Sequence, residues 1–308
     1  MKSKINSSTP TVERFVGQIA ETLASTSASA VTAYELARQV AGLLDATPDL
    51  VSKTLYQDVV QSLLKTHLLT PMVHITPKAY LLFGRSSALP AELVCSLDPF
   101  AYVSHLSAME HHGLTDRFPQ ILYMTRPSAV EWRKQAALKS AKDLGERLAA
   151  FQASGLPQLT RPKITRVGHT SIQFCERTQL GAFRLVSGSS LRVATVGRVF
   201  LDMLREPAWC GGIQHVVDIY RREAKRYLKL IVDEVDRHGQ PIDKVRGGYL
   251  LSEVCQLEAP QLAAWQQFAQ RGGSRKLDAE GEYVPTYSER WLLSINVPSL
   301  ISPERGDE

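Results

Sequence analysis

Cysteine is scarce in this chain. The four in 308 residues, Cys95, Cys175, Cys210 and Cys255, form no Cys-x-x-Cys pair. That spacing excludes the usual zinc signatures and a compact disulfide framework, so the thiols read as small buried hydrophobes in a reducing compartment. No run approaches the ~20 apolar residues that a membrane helix needs. The first residues are polar (Lys2, Lys4, Asn6, Ser7, Ser8) and lack the apolar core of a secretory signal, which makes the cytoplasm the expected location. Catalytic signatures are missing too: there is no phosphate-cradling Gly-Lys-Ser/Thr loop, no Gly-x-Gly-x-x-Gly after a strand, no His-Glu-x-x-His and no Gly-x-Ser-x-Gly. No internal repeat is visible. No catalytic residue, cofactor or metal is expected.

What is present is ordinary globular composition, 44% hydrophobic and 22% charged, long enough for one large domain or two ordinary ones. The net charge of +5 is mild and unevenly spread. Residues 1–85 carry eight Lys/Arg against six Asp/Glu, and residues 86–160 carry seven of each. Residues 161–205 carry eight against two, while 206–308 carry thirteen against sixteen. The basic excess of 161–205 (Arg161, Lys163, Arg166, Arg184, Arg192 and Arg198 among it) is either a solvated face or a surface for an acidic partner such as nucleic acid.

The periodicity predicts a helix over 11–25, with Thr11 as a cap and Phe15, Val16, Ile19 and Leu23 on one side. A second helix is expected over 32–44, with Thr32 and Glu35 in capping-box spacing. A third runs from Pro48, suited to a first helical position, to His67. Two short strands around a turn follow over 68–82. Three helices and a hairpin make a winged helix-turn-helix, with a boundary near 84–90. The expected organisation is therefore mixed α+β: a winged helix-turn-helix over 1–88, then a larger α/β domain over 89–308 with a small sheet first and C-terminal helices last.

Within that second part the sequence predicts a helix over 104–112 capped by Ser104 and ended by Gly113, then a strand over 120–124. A helix over 129–151 and short strands over 163–168, 171–176, 182–186 and 191–194 follow. Thr195 is expected to cap a helix to Arg205. Further helices are expected from Gly212 to Tyr220 and over 222–238, 241–253 and 260–271. Gly247 and Gly248 are expected to let Tyr249 pack closely against the helices.

In a helix-turn-helix the leading end of the second helix meets base edges in the major groove. Here that end offers Ser52, Lys53, Thr54, Tyr56 and Gln57. Hydroxyl and amide groups hydrogen-bond bases or phosphate, and Lys53 neutralises phosphate. The wing adds His74 and Lys78, with Arg85 just beyond, and Arg166 and Arg192 extend the candidate DNA-binding set. A helical module packing against protein is the competing reading of this face. His105, His111 and His112 cluster, but His105 and His112 stand two helical turns apart, too far for one ion, so they read as capping and packing groups. Glu176 and Asp202 resemble nuclease carboxylates only loosely, because no Glu-x-Lys follows Glu176.

The block from Tyr102 through Ser104, His105, Glu110, His112 and Gly113 to Arg117 resembles the AbiEi family of antitoxins and transcriptional regulators from abortive-infection, type IV toxin–antitoxin systems. A second resembling block runs from Val196 to Arg205 and on through Gly211, Gly212 and Ile213. A third is Val245-Arg246-Gly247-Gly248-Tyr249-Leu250-Leu251. The extra leading helix and the tail after Gly272 depart from the family pattern. The resemblance implies a non-enzymatic autorepressor that binds double-stranded DNA at promoter inverted repeats, as a homodimer or as paired copies. It also implies a larger domain that counters a partner nucleotidyltransferase toxin in antiviral defence. Two alternatives remain: a stand-alone regulator without a toxin, and a protein-interaction module that sequesters an effector without touching DNA.

Overall fold

The computed structural model describes residues 9–43, 53–271 and 275–301. The fold is mixed α+β and divides into two compact units. The first comprises Met1–Ala101, Arg126–Gln179 and Leu185–Arg192, and the second comprises Tyr102–Thr125, Leu180–Arg184 and Val193–Glu308. Among the described residues no helix is long and apolar enough to cross a membrane.

The first unit opens with α1 (Thr9–Ser25), β1 (Ala30–Thr32), α2 (Ala33–Gly42), α3 (Lys53–Lys65), β2 (Leu69–Pro71) and β3 (Ala79–Leu82). Thr32 ends the extended segment and caps α2, its hydroxyl accepting from the Glu35 backbone N–H at 3.2 Å. The reciprocal half of the expected capping box is replaced by a different bond, since the Glu35 carboxylate accepts from Arg38 at 2.8 Å. The three strands form an antiparallel sheet in the order β1-β3-β2, with Val31 opposite Tyr80 and Thr70 opposite Leu81. Strand β1 was not foreseen: its three residues follow a run of small polar ones and carry no alternation of their own.

A single apolar cluster joins Phe15, Ile19 and Leu23 of α1, Tyr34, Leu36 and Val40 of α2, and Tyr56, Val59 and Leu63 of α3. It does not close within residues 1–88. Leu144, Phe151 and Leu156 belong to the same cluster, contributed by α6 (Ala129–Leu144), α7 (Leu148–Ala153) and the turn after it. Phe151 meets the Tyr34 ring edge-on at 6.1 Å, and the Tyr34 hydroxyl donates to Asp143 at 3.1 Å. The compact unit therefore crosses the expected boundary at 84–90. Short α4 (Pro90–Leu97) and the antiparallel pair β6 (Arg166–Val167) and β7 (Thr170–Arg177) complete it.

The second unit begins at β4 (Tyr102–Val103) and α5 (His105–His111). Strands β5 (Ile121–Pro127) and β8 (Phe183–Leu185) each carry the chain from the second unit into the first, and β9 (Arg192–Ala194) returns it. Strand β4 lies antiparallel to β5 and parallel to β9, so the sheet is mixed. Thr195 caps α8 (Val196–Arg205) as expected, accepting from the Arg198 N–H. Ser104 holds the N-cap position of α5 but makes no cap bond; its hydroxyl accepts from Thr125 instead.

The two helices expected over 212–238 are one, α9 (Ile213–His238), because neither Gly nor Pro interrupts the register at 220–222. Its close approach to α8 needs Gly197, where a Cβ would stand 2.3 Å from the Leu230 carbonyl oxygen. α10 (Pro241–Tyr249) runs into a π-turn over Leu250–Val254, and α11 (Pro260–Trp265) and the small pair β10 (Tyr287–Ser288) and β11 (Leu293–Ser294) follow. Tyr249 is buried as expected, and the glycine pair also admits a second ring: a Cβ on Gly248 would sit 2.1 Å from the Trp291 indole.

Candidate nucleic-acid interface

Helix α3 has two unlike sides. Tyr56, Val59, Val60 and Leu63 point into the apolar cluster, while Lys53, Thr54, Gln57 and Asp58 are exposed. Spacing of three and four residues separates the sets, as a helix lying on a core requires. Ser52 and the expected start at Pro48 lie outside the described residues. Tyr56 leaves the candidate face: it is only 8% exposed, burial pushes its phenol up, and its hydroxyl points toward the Ala33 carbonyl. It is a core residue because it stands one helical turn before Val59 and Val60, on the buried side.

The β2–β3 connection is tied at its base by the Met72 N–H donating to Ala79 O at 3.0 Å. Beyond that bond His74 and Lys78 are exposed, and His74 takes a left-handed φ of 61°, which turns the backbone at the tip. Arg85 is exposed, with one guanidinium N–H donating to Thr26 O at 3.2 Å. The tip of this connection pairs with the start of the basic segment: Thr76 and Lys163 form an antiparallel bridge. Lys163 and Arg166 are both exposed, and β6, which carries Arg166, is an edge strand.

Compared with protein-family models and with characterised proteins, the chain matches none. The site is therefore built from its own geometry.

That geometry changes the meaning of the basic segment. Of the cations over 161–205, only Lys163, Arg166 and Arg184 are exposed. Arg192 leaves the candidate set, because its guanidinium donates to the carbonyl oxygens of Ala101 and Cys95, both at 2.8 Å, and to that of Asp98. Arg198 is 1% exposed and pairs with Asp202 at 2.8 Å; the Asp202 charge raises its pKa against the opposing pull of burial. Arg205 donates to Asp243 and to His238 O. Arg161 pairs with Glu176, which also accepts from Arg126 at 3.2 Å. Interior carbonyls and carboxylates absorb charge that in the sequence looks like surface.

The three histidines differ in setting, and His111 is exposed. His105 is fully buried, its Nδ1 2.8 Å from the Ser104 hydroxyl and its ring 5.2 Å from Trp209. His112 Nε2 donates to Ala194 O at 2.7 Å, and burial together with the His112 ring lowers the pKa of His111. Asp202, one of the two carboxylates weighed for nuclease chemistry, is fully buried against Arg198 and presents nothing to solvent.

Sequence reasoning missed the densest cation run on any described helix. Arg221, Arg222, Lys225, Arg226 and Lys229 of α9 are all exposed. The signal was available in the order of the residues, but the net negative balance of 206–308 hid it.

Proposed function

We propose that the chain is a DNA-binding transcriptional repressor that places the leading turns of α3 in the major groove. The order α1-β1-α2-α3-β2-β3, with its antiparallel sheet, is read here as a winged helix-turn-helix. The observation that carries the reading is the polarity of α3: Lys53, Thr54 and Gln57 stand outward, while Tyr56, Val59 and Leu63 anchor the opposite side. Gln57 offers a bidentate amide to a base edge, Thr54 a hydroxyl, and Lys53 a phosphate contact. His74 and Lys78 of the wing reach flanking phosphates.

Fluorescence anisotropy with duplex from upstream of the gene tests the proposal. Specific binding should weaken steeply with salt, and Lys53→Glu with Gln57→Ala should reduce it by roughly 10-fold or more. Salt-insensitive binding, or no preference for upstream over scrambled duplex, removes the repressor reading.

An antitoxin role is the second reading. It is favoured by the placement of the three AbiEi-like blocks, which all fall in the second unit and supply its interior, including Tyr102, Met109, Leu201, Val245 and Leu251. In this reading the second unit counters a nucleotidyltransferase toxin. Co-expression with an adjacent nucleotidyltransferase gene should restore growth, and failure to do so leaves the regulator without a toxin.

A further inference from the structure

Some cations on the other helices of this protein have carboxylates beside them, while Arg14, Lys53, Lys65, Arg133 and Lys142 stand singly exposed with no carboxylate within ion-pair distance among the described residues. Arg38 pairs with Glu35 on α2, and on α6 Lys134 pairs with Glu131 and Lys139 with Asp143. α9 gathers exposed cations into one stretch. Between Arg221 and Lys229 it carries five cations and one carboxylate, Glu223, which pairs with Arg222. Arg221, Lys225, Arg226 and Lys229 have no carboxylate within ion-pair distance among the described residues.

Their spacing makes one stripe. At 3.6 residues per turn the five project over an arc of roughly 140°, and eight rises of 1.5 Å spread them over about 12 Å. Buried Val216, Tyr220, Ala224, Ile231 and Val235 hold the opposite side of the helix in the interior, so the stripe cannot turn inward. Like charges at i,i+4 (Arg221 with Lys225, Lys225 with Lys229, Arg222 with Arg226) repel one another, and an isolated helix gains nothing from them. A polyanion laid along the stripe relieves that repulsion.

We propose that this face of α9 is a second nucleic-acid contact, which grips the sugar–phosphate backbone of a duplex without reading its bases. Duplex DNA presents one charge per ~1.7 Å of axis, dense enough to neutralise every cation of the stripe. Arginine provides three of the five, and its planar fork suits phosphate oxygens. An acidic protein surface fits less well. Charged groups are depleted at the centres of protein interfaces, which aromatic and apolar anchors dominate, and between Arg221 and Lys229 the aromatic and apolar residues are half-buried or buried, Tyr227 lying under the Arg226 guanidinium. The inference extends the DNA-binding reading but stands on a different helix, so the two can fail separately.

The test uses the full chain and two duplexes, one upstream and one scrambled, with log affinity followed against log salt. The variant Arg221→Gln, Lys225→Gln, Arg226→Gln, Lys229→Gln should flatten the slope by roughly 3 to 4 on both duplexes. Arg222 is left in place because its guanidinium donates to Leu114 O. A control with the same charge change at Arg133, Lys134, Lys142 and Arg271 should shift the slope by less than roughly 1. The milder pair Lys225→Gln and Lys229→Gln, flattening the slope by about half as much, covers any loss of folding in the fourfold variant. An unchanged slope in both α9 variants overturns the proposal, as does an equal change in the control. Unchanged duplex binding with lost binding to poly-glutamate overturns it in favour of an acidic protein. If Lys53→Glu with Gln57→Ala abolishes the upstream preference while the slope on scrambled duplex persists, the α9 contact stands alone. If the α3 variant retains that preference, the α3 reading fails and the α9 contact is untouched.

Discussion

The backbone N–H of Lys163 donates to the carbonyl oxygen of Thr76 at 2.7 Å. Two segments that are 87 residues apart in the sequence thereby share one ladder rung, and the β2–β3 connection adjoins the exposed cations Lys163 and Arg166. If the wing lies against DNA, Lys163 lies beside the same backbone. Lys78→Glu and Lys163→Glu should each lower the magnitude of the salt slope by about 1, and together by about 2, with base preference retained. Measurement of binding to upstream duplex between low and moderate salt checks this, and a slope that moves only for Lys78→Glu separates Lys163 from the interface.

Arg192 should act on stability and not on binding. It supplies hydrogen bonds to the carbonyls of three buried residues, Cys95, Asp98 and Ala101. Arg192→Gln leaves some of those acceptors without a donor, at a cost of about 1–3 kcal/mol. Urea unfolding should show the loss, and the salt slope of DNA binding under folding conditions should stay as it was.

Adjacent residues of α3 should separate in the same way. Tyr56→Ala removes a core ring and should cost about 3 kcal/mol, in the range of other large aromatic truncations. Gln57→Ala should alter stability by less than about 0.5 kcal/mol and weaken specific DNA binding. The reverse assignment in paired unfolding and binding measurements means that α3 is rotated relative to the face described above.

Asp98 gives a pH signature. It is fully buried, and burial lifts its carboxyl above the ordinary carboxylate value, against the stabilising pull of the Trp132 indole N–H at 3.1 Å, the Phe100 N–H, and Arg126 and Arg192. A raised carboxyl binds its proton more tightly in the folded than in the unfolded chain. Its contribution to stability is therefore complete below the unfolded pKa of 3.8 and is lost as pH rises through the higher folded value. Asp98→Asn should remove that decline, so wild type and variant should diverge as pH increases from about 4. Parallel stability–pH curves for the two would place the titration elsewhere.

The sequence determined what depends on neighbours a few residues away. The caps at Thr32 and Thr195, the amphipathic runs of α1 to α3 and the hairpin over 68–82 are all local patterns, and the mixed α+β character follows from them. The division of α3 into an anchored and an outward side was legible for Val59 and Leu63 but not for Tyr56, since an aromatic with a hydroxyl suits either side equally. Tertiary structure decided the rest. Leu144, Phe151 and Leu156 close a core that residues 1–88 leave open, and no local pattern reveals which distant apolar residues will fill it. Whether an arginine faces water or an interior carbonyl depends on which backbone groups the fold strands beside it. For that reason Arg192 and Arg198 left the surface, while Arg221 to Lys229, hidden under a negative balance, remained on it.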